Sequence, residues 1–147
     1  FSLKENLRQK CYDQLYNLVI CCEESIKPHS QDILKQLYKT ILDQDPIIKE
    51  RSREIAQALG YFVDTDYIIP IIIDHLKDKD SLSLPHYISS CLFVFSELVL
   101  YSTAKYSTIQ SHLPAILELM SSSDYLNSES VTVLEAVLLL STNVIKS

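Results

Sequence analysis

Ile69-Pro70-Ile71-Ile72-Ile73-Asp74-His75-Leu76 is matched without a gap by Leu113-Pro114-Ala115-Ile116-Leu117-Glu118-Leu119-Met120, an offset of 44 residues. Alone, the run from Tyr67 to Ile73 is ambiguous, because its β-branched residues suit a buried strand as well as a buried helix. The repeat favours the helix. An earlier segment fits at an offset of 35 residues, with Leu34, Leu37 and Ile41 under Ile69, Ile72 and Leu76. That spacing of three and then four is helical. Each segment then meets an aspartate, Asp45, Asp80 or Asp124, and a long apolar-periodic stretch follows each one.

Outward from these segments the same rhythm continues. Leu7, Cys11, Leu15, Leu18, Val19 and Cys22 outline a first helix, and Ile33 to Leu42 a second. Asp45-Pro46 is a helix start, since Asp45 can cap free amides and proline suits the first turn. The third helix then runs through Ile48, Arg51, Ile55 and Leu59 to Gly60, and Asp64-Thr65-Asp66 caps the fourth. Lys77-Asp78-Lys79-Asp80-Ser81 reads as a solvated turn. Pro85 opens a fifth helix, roughly 85–103, whose apolar residues Ile88, Leu92, Phe93, Phe95, Leu98, Val99 and Leu100 go almost all the way round. Such a helix is buried between neighbours. A sixth covers about 107–120. A seventh starts near Ser128 and runs to the end through Val131, Leu134, Val137, Leu138 and Val144, an apolar stripe too wide for an outer capping helix.

Two helices per unit of about 35–45 residues is the signature of a HEAT or armadillo-type stack. One helical pair cannot bury its apolar face alone, so it stacks on copies of itself. The fold class expected is therefore all-α: a HEAT-type α-solenoid of antiparallel helical pairs, about seven helices in three and a half repeats. Residues 1–147 form one solenoid segment, and the wide final stripe predicts that the last helix packs against further repeats of a longer repeat protein or against another copy of this segment. The long helices at about 46–62, 85–103 and 128–145 should share one layer.

Composition agrees. The 147 residues include one glycine, Gly60, too few for tight sheet turns, a P-loop or a dinucleotide fingerprint. Hydrophobic residues make up 47% and charged residues 22%, and the net charge of −6 disfavours free nucleic acid as a partner. Nearly all of the bases and most of the acids lie in residues 1–80, leaving the remainder serine-rich and apolar. Cys11, Cys21, Cys22 and Cys91 form no secreted disulfide framework and read as buried free thiols of a reducing cytosol. No apolar run reaches the length of a membrane span.

The segment LDQDPIIKERSREIAQALG at 42–60 resembles the HEAT consensus: Leu42, Asp43, Asp45, Pro46, Ile48 and Lys49 stand at its turn and first helix, and Ala58, Leu59 and Gly60 at the helix end, about one turn late. Across its whole length the chain resembles the HEAT-repeat axonemal dynein preassembly factors. The resemblance runs through LRQKCYDQLYNLV, LKQLYKTILDQD, REIAQALGYFVDTDYIIPIIIDHL, LFVFSELVLYS, IQSHLPAILELM and VTVLEAVLLLSTNVI, in that order. It implies a cytoplasmic, non-catalytic scaffold that helps assemble axonemal dynein heavy chains alongside heat-shock chaperones. A nuclear transport receptor or a phosphatase scaffold subunit is the alternative within the same superfamily.

No catalytic, cofactor-binding or metal-binding residue emerges. His29, His75, His86 and His112 are scattered without zinc spacing, and Cys11 lacks the local signature of a nucleophile. Glu50, Arg51, Arg53 and Glu54 form a charged face, which reads first as solvated and second as a partner-binding ridge. Tyr12, Tyr16, Tyr38, Tyr61, Tyr87, Tyr101, Tyr106 and Tyr125 read first as core-edge residues with hydroxyls in water and second as interface anchors.

Overall fold

A computed structural model of the chain describes residues 3–78 and 85–102, together with His112, Pro114, Ala115 and Glu118. Five α-helices carry these residues: α1 (Leu3–Cys22), α2 (Ser30–Thr40), α3 (Pro46–Phe62), α4 (Thr65–Lys77) and α5 (Pro85–Leu100). No strand occurs among the described residues, so the β-branched run inside α4 is helical, as its place in the repeat requires. His112, Pro114, Ala115 and Glu118 are helical too. The rest of the expected sixth helix, and the whole of the seventh at 128–145, lie outside the described residues.

The helix boundaries follow local chemistry. Asp45 caps α3, its Oδ1 accepting from the Ile47 amide at 2.9 Å, and Pro46 occupies the first turn. Asp64 stands at the corresponding position of α4, but its side chain accepts no capping bond. Its backbone carbonyl instead takes the amides of Tyr67 and Ile68, each at 3.0 Å. Pro70 sits inside α4, where its missing N–H costs the bond to the Asp66 carbonyl, and its ring is exposed. Periodicity gave no hint of a 3₁₀ segment, Glu23–His29, between α1 and α2. It starts with Glu23 at φ 51°, the left-handed position that glycine usually fills after a helix.

The chain's single glycine is used elsewhere. Gly60 does not end α3, which continues to Phe62. A Cβ at Gly60 would run into the carbonyl oxygen of Leu98 and sit 3.0 Å from its carbonyl carbon. Gly60 is therefore the point where the backbones of α3 and α5 touch. The close approach places α5 against α2, α3 and α4 together, and burial goes round the helix: Ile88, Cys91, Leu92, Val94, Phe95, Leu98 and Val99 are all buried. Tyr87 and Phe93 are half-buried, and the exposed residues lie towards its two ends, at His86 and Leu100.

α1, α3 and α5 form one layer, with α3 packed on both its neighbours. α2 and α4 form the second. The register read from the repeat holds residue by residue, since Leu34, Leu37, Ile41, Ile69, Ile72 and Leu76 are all at most 2% exposed. The stripe read on α1 does not. Leu7, Cys11 and Leu18 are exposed, while Tyr12, Leu15, Tyr16, Val19 and Cys22 face the core. Leu15, Val19 and Cys22 of the stripe hold, and Tyr12 and Tyr16 complete the inner side of that helix. The cysteine reading changes with it: all four thiols are free, but only Cys91 is buried, Cys22 is half-buried, and Cys11 and Cys21 are exposed.

Two substitutions test this packing. Leu98→Ala should cost about 2–5 kcal/mol in denaturant melts, because Leu98 is fully buried between helices. Gly60→Ala, which elsewhere in a helix gains about 1 kcal/mol from propensity, should instead destabilise the protein. A gain on Gly60→Ala would show that α3 and α5 do not meet there.

Candidate interaction surface

Polar side chains tie the first layer together. Arg51 on α3 reaches α1, donating from Nε to Asp13 at 2.8 Å, and also pairs with Glu54 at 2.9 Å while lying over the Tyr16 ring. Arg53, two residues on, reaches the other way: its Nε donates to Glu97 of α5 at 3.1 Å. Gln57 donates to the second Glu97 oxygen at 2.9 Å. At the start of α3, Arg8 meets Asp43 at 2.6 Å and Gln9 meets Asp45 at 2.8 Å. The charged face of α3 is partly solvated, with Glu50 and Arg53 exposed, but its arginines also reach sideways into adjacent helices. Sequence spacing shows only the pairs within a helix, and here Arg53 to Glu50 is one of them.

The electrostatic consequences are local. The Asp43 hydrogen bond holds the Arg8 guanidinium above its ordinary value. The Gln9 amide, and then the backbone amides of Ile47 and Ile48, hold Asp45 below the usual carboxylate range. Burial works against the Arg53 charge, yet Glu97 more than restores it. Glu97 is the carboxylate to watch, since its side chain is 8% exposed while Arg53 is 44% exposed.

A second polar cluster lies where α2, α4 and α5 meet. The Tyr38 hydroxyl is 2.9 Å from His75 Nδ1, and the Tyr38 ring stands edge-on to both His75 and Tyr87. Tyr38 is buried, so its hydroxyl is not in water as the sequence suggested. Burial pushes the Tyr38 hydroxyl up and the Cys91 thiol up to about 12. Burial first, and the Lys35 charge second, lower His75, with Asp74 and Asp78 pulling weakly the other way. The Tyr38 hydroxyl and Nδ1 share one hydrogen bond, while Nε2 is buried and has no partner among the described residues. Such a histidine is held neutral.

Beside this cluster runs a groove between α2 and α5. Its wider part, about 570 Å³, is lined by Lys35, Tyr38, Lys39, Leu42, His86, Tyr87 and Ser90. A narrower part, about 250 Å³, continues from Leu42 to Ile41, Lys49, Arg53, Phe93 and Glu97. No single motif marked this groove in the sequence, because it draws on three helices. The other candidates scatter. Tyr61 and Tyr101 are exposed, Tyr12, Tyr16 and Tyr87 half-buried, and Tyr106 and Tyr125 lie outside the described residues. Tyr67, not singled out from sequence, lies under the Lys27 ammonium at 4.7 Å. His112 meets Asp66 at 2.6 Å, and His29 and His86 are exposed. No helix among the described residues is long and apolar enough to cross a membrane.

Two measurements check this electrostatic picture. A double-mutant cycle on Arg53→Ala and Glu97→Ala should give a coupling of about 1–3 kcal/mol, because Glu97 is desolvated. The same cycle on Arg53 and exposed Glu50 should stay below about 0.5 kcal/mol. Equal couplings would contradict the burial of Glu97. For His75, the folded value lies below the ordinary 6.5, so the unfolded chain binds its proton first as pH falls. The contribution of His75 to stability is therefore complete above about pH 6.5 and is lost as pH drops from there through the folded value. Thermal melts from pH 7.5 downward should show this loss, and His75→Phe should remove it. A His75 that titrates above 6.5 by NMR would reverse the sign.

Searches of curated proteins and of solved structures return no match. A family model does match: Dynein axonemal assembly factor 5, HEAT-repeat domain, over residues 2–147. The match covers almost the whole chain, and the repeat register and the two helical layers agree with a HEAT stack. The chain belongs to the HEAT-repeat domain family of the dynein axonemal assembly factors.

Proposed function

We propose that this chain is a non-catalytic, cytoplasmic scaffold segment that holds axonemal dynein heavy-chain intermediates during arm assembly, working with heat-shock chaperones. The observation that carries the proposal is the family match over residues 2–147. The physical form supports it. A stack of helical pairs offers an extended surface whose contacts are numerous and individually weak, which suits a large client that is only partly folded. The acidic balance is compatible with a protein partner and does not choose one.

Loss of the full-length protein should leave cilia present but short of outer and inner dynein arms, with heavy chains depleted in the cytoplasm. Affinity capture from ciliated cells followed by mass spectrometry should return dynein heavy chains and chaperones. Intact arms in a knockout, with a nuclear cargo or a phosphatase captured instead, would overturn the assembly reading.

A further inference from the structure

We infer that the groove between α2 and α5 binds a short acidic peptide strand with an apolar residue at its centre. The inference rests on the protein-binding reading above and supplies the class of ligand for one part of the surface.

The first observation is charge. The protein carries a net −6, yet Lys35, Lys39 and Lys49 all border the groove and have no ion-pair partner among the described residues. None of the described residues lining the wider part is acidic. The one acid among the described residues of the narrower part, Glu97, is already held by Arg53 and Gln57. The groove is therefore a cationic strip on an acidic protein, and such a strip steers anionic partners toward itself.

The second observation is shape. Lys35, Tyr38 and Lys39 lie on one face of α2, with Leu42 just beyond its end, and His86, Ser90, Phe93 and Glu97 follow one another at four-three-four spacing along α5. The α5 stripe spans about 16 Å at the helical rise. An extended strand of about five residues fits that length. The wider part, about 570 Å³, is of the size that encloses a side chain with its neighbours. Its floor is Tyr38 and Leu42, with Tyr87 on the α5 wall. Tyr38 is fixed by His75 and stacked edge-on against Tyr87, so the floor is rigid before a ligand arrives. A central leucine would rest on this floor while flanking carboxylates reach Lys35 and Lys39 at one end and Lys49 at the other.

The third is accessibility. Lys35, Lys39, Lys49 and His86 are all exposed, so the cations stand on the rim and the aromatic rings lie below them. That order, an apolar bottom with a charged rim, is the arrangement of a specific peptide site.

The test is an NMR titration of the 147-residue chain with the pentapeptide acetyl-EELEE-amide. Shift changes should map to Lys35, Leu42, Tyr87 and Phe93, and binding should weaken as salt rises. Lys35→Glu with Lys39→Glu should weaken binding more than tenfold, while Lys10→Glu on α1 should leave it unchanged. Both groove lysines are exposed, so helical content and melting temperature should be retained and are measured alongside. The basic peptide acetyl-KKLKK-amide should not bind. Absence of any shift at millimolar acidic peptide overturns the inference. So does equal binding of the basic peptide, an unaffected double variant, or tighter binding of a five-nucleotide uridine RNA through the same lysines. If the groove fails while the full-length protein still captures dynein chains, the inference falls and the scaffold reading stands.

Discussion

Gly60 lies against the backbone of Leu98, and much of the packing around α5 follows from that contact. Two helices that touch backbone to backbone are fixed in both distance and register, because any side chain at the crossing would push them apart. With α5 drawn in this far, most of its circumference meets other helices, and the apolar composition read from its sequence becomes a requirement. Ser89, Ser90 and Ser96 are buried there as well. Ser89 and Ser96 return their hydroxyls to carbonyls of their own helix, those of His86 at 3.0 Å and Phe93 at 2.8 Å. Small residues of this kind let neighbouring helices come close without leaving a polar group unsatisfied.

The same contact places Glu97 within reach of Arg53 and Gln57. The ladder Asp13–Arg51 and Arg53–Glu97 then runs across three helices of one layer, with two arginines of α3 facing opposite neighbours. Most of its rungs are partly exposed and contribute little to stability. Their effect is on alignment, since a slip of one helical turn between α1 and α3 or between α3 and α5 would leave the arginines facing nothing. The desolvated rung at Glu97 carries the larger energy because a buried carboxylate without its partner is costly. In a solenoid each unit contacts only its neighbours, so alignment must be set again at every interface. A smaller link repeats the device between the layers. Ser52 of α3 donates to Thr40 of α2 at 2.7 Å, and the Thr40 hydroxyl passes on to the Gln36 carbonyl at 3.2 Å.

The repeat was legible because its signal is periodic and aliphatic. Leu34, Leu37 and Ile41 superimpose on Ile69, Ile72 and Leu76 in sequence, and all six are core. The inner face of α1 was only partly legible: Leu15, Val19 and Cys22 are on it, but it is also written in Tyr12 and Tyr16, residue types that serve equally well at a surface. Gly60 was read as a terminator because glycine follows many helices. Its true role depends on a residue 38 positions away, and nothing local records that. Conversely Glu23 holds the left-handed position where glycine would have been expected. The groove was the least legible feature. Lys35, Tyr38 and Lys39 look like an ordinary helix face until α5 is laid beside them, and the free state of the lysines is known only once the ion pairs of their neighbours are assigned.

These features together separate adhesion from recognition. The arginines and glutamates of the first layer are committed to one another, so they hold the stack and offer little uncompensated charge to a partner. The lysines of α2 and the start of α3 are exposed and uncommitted among the described residues, and they border a groove with a fixed aromatic floor. Lysine suits that rim, because its strongly hydrated ammonium on a flexible stem can follow an irregular ligand, whereas arginine's planar fork suits the fixed partners inside the layer. In the proposed reading the distribution of the two bases over the fold matches a distribution of tasks: arginine where helices must keep one register, lysine where a changing client would be met.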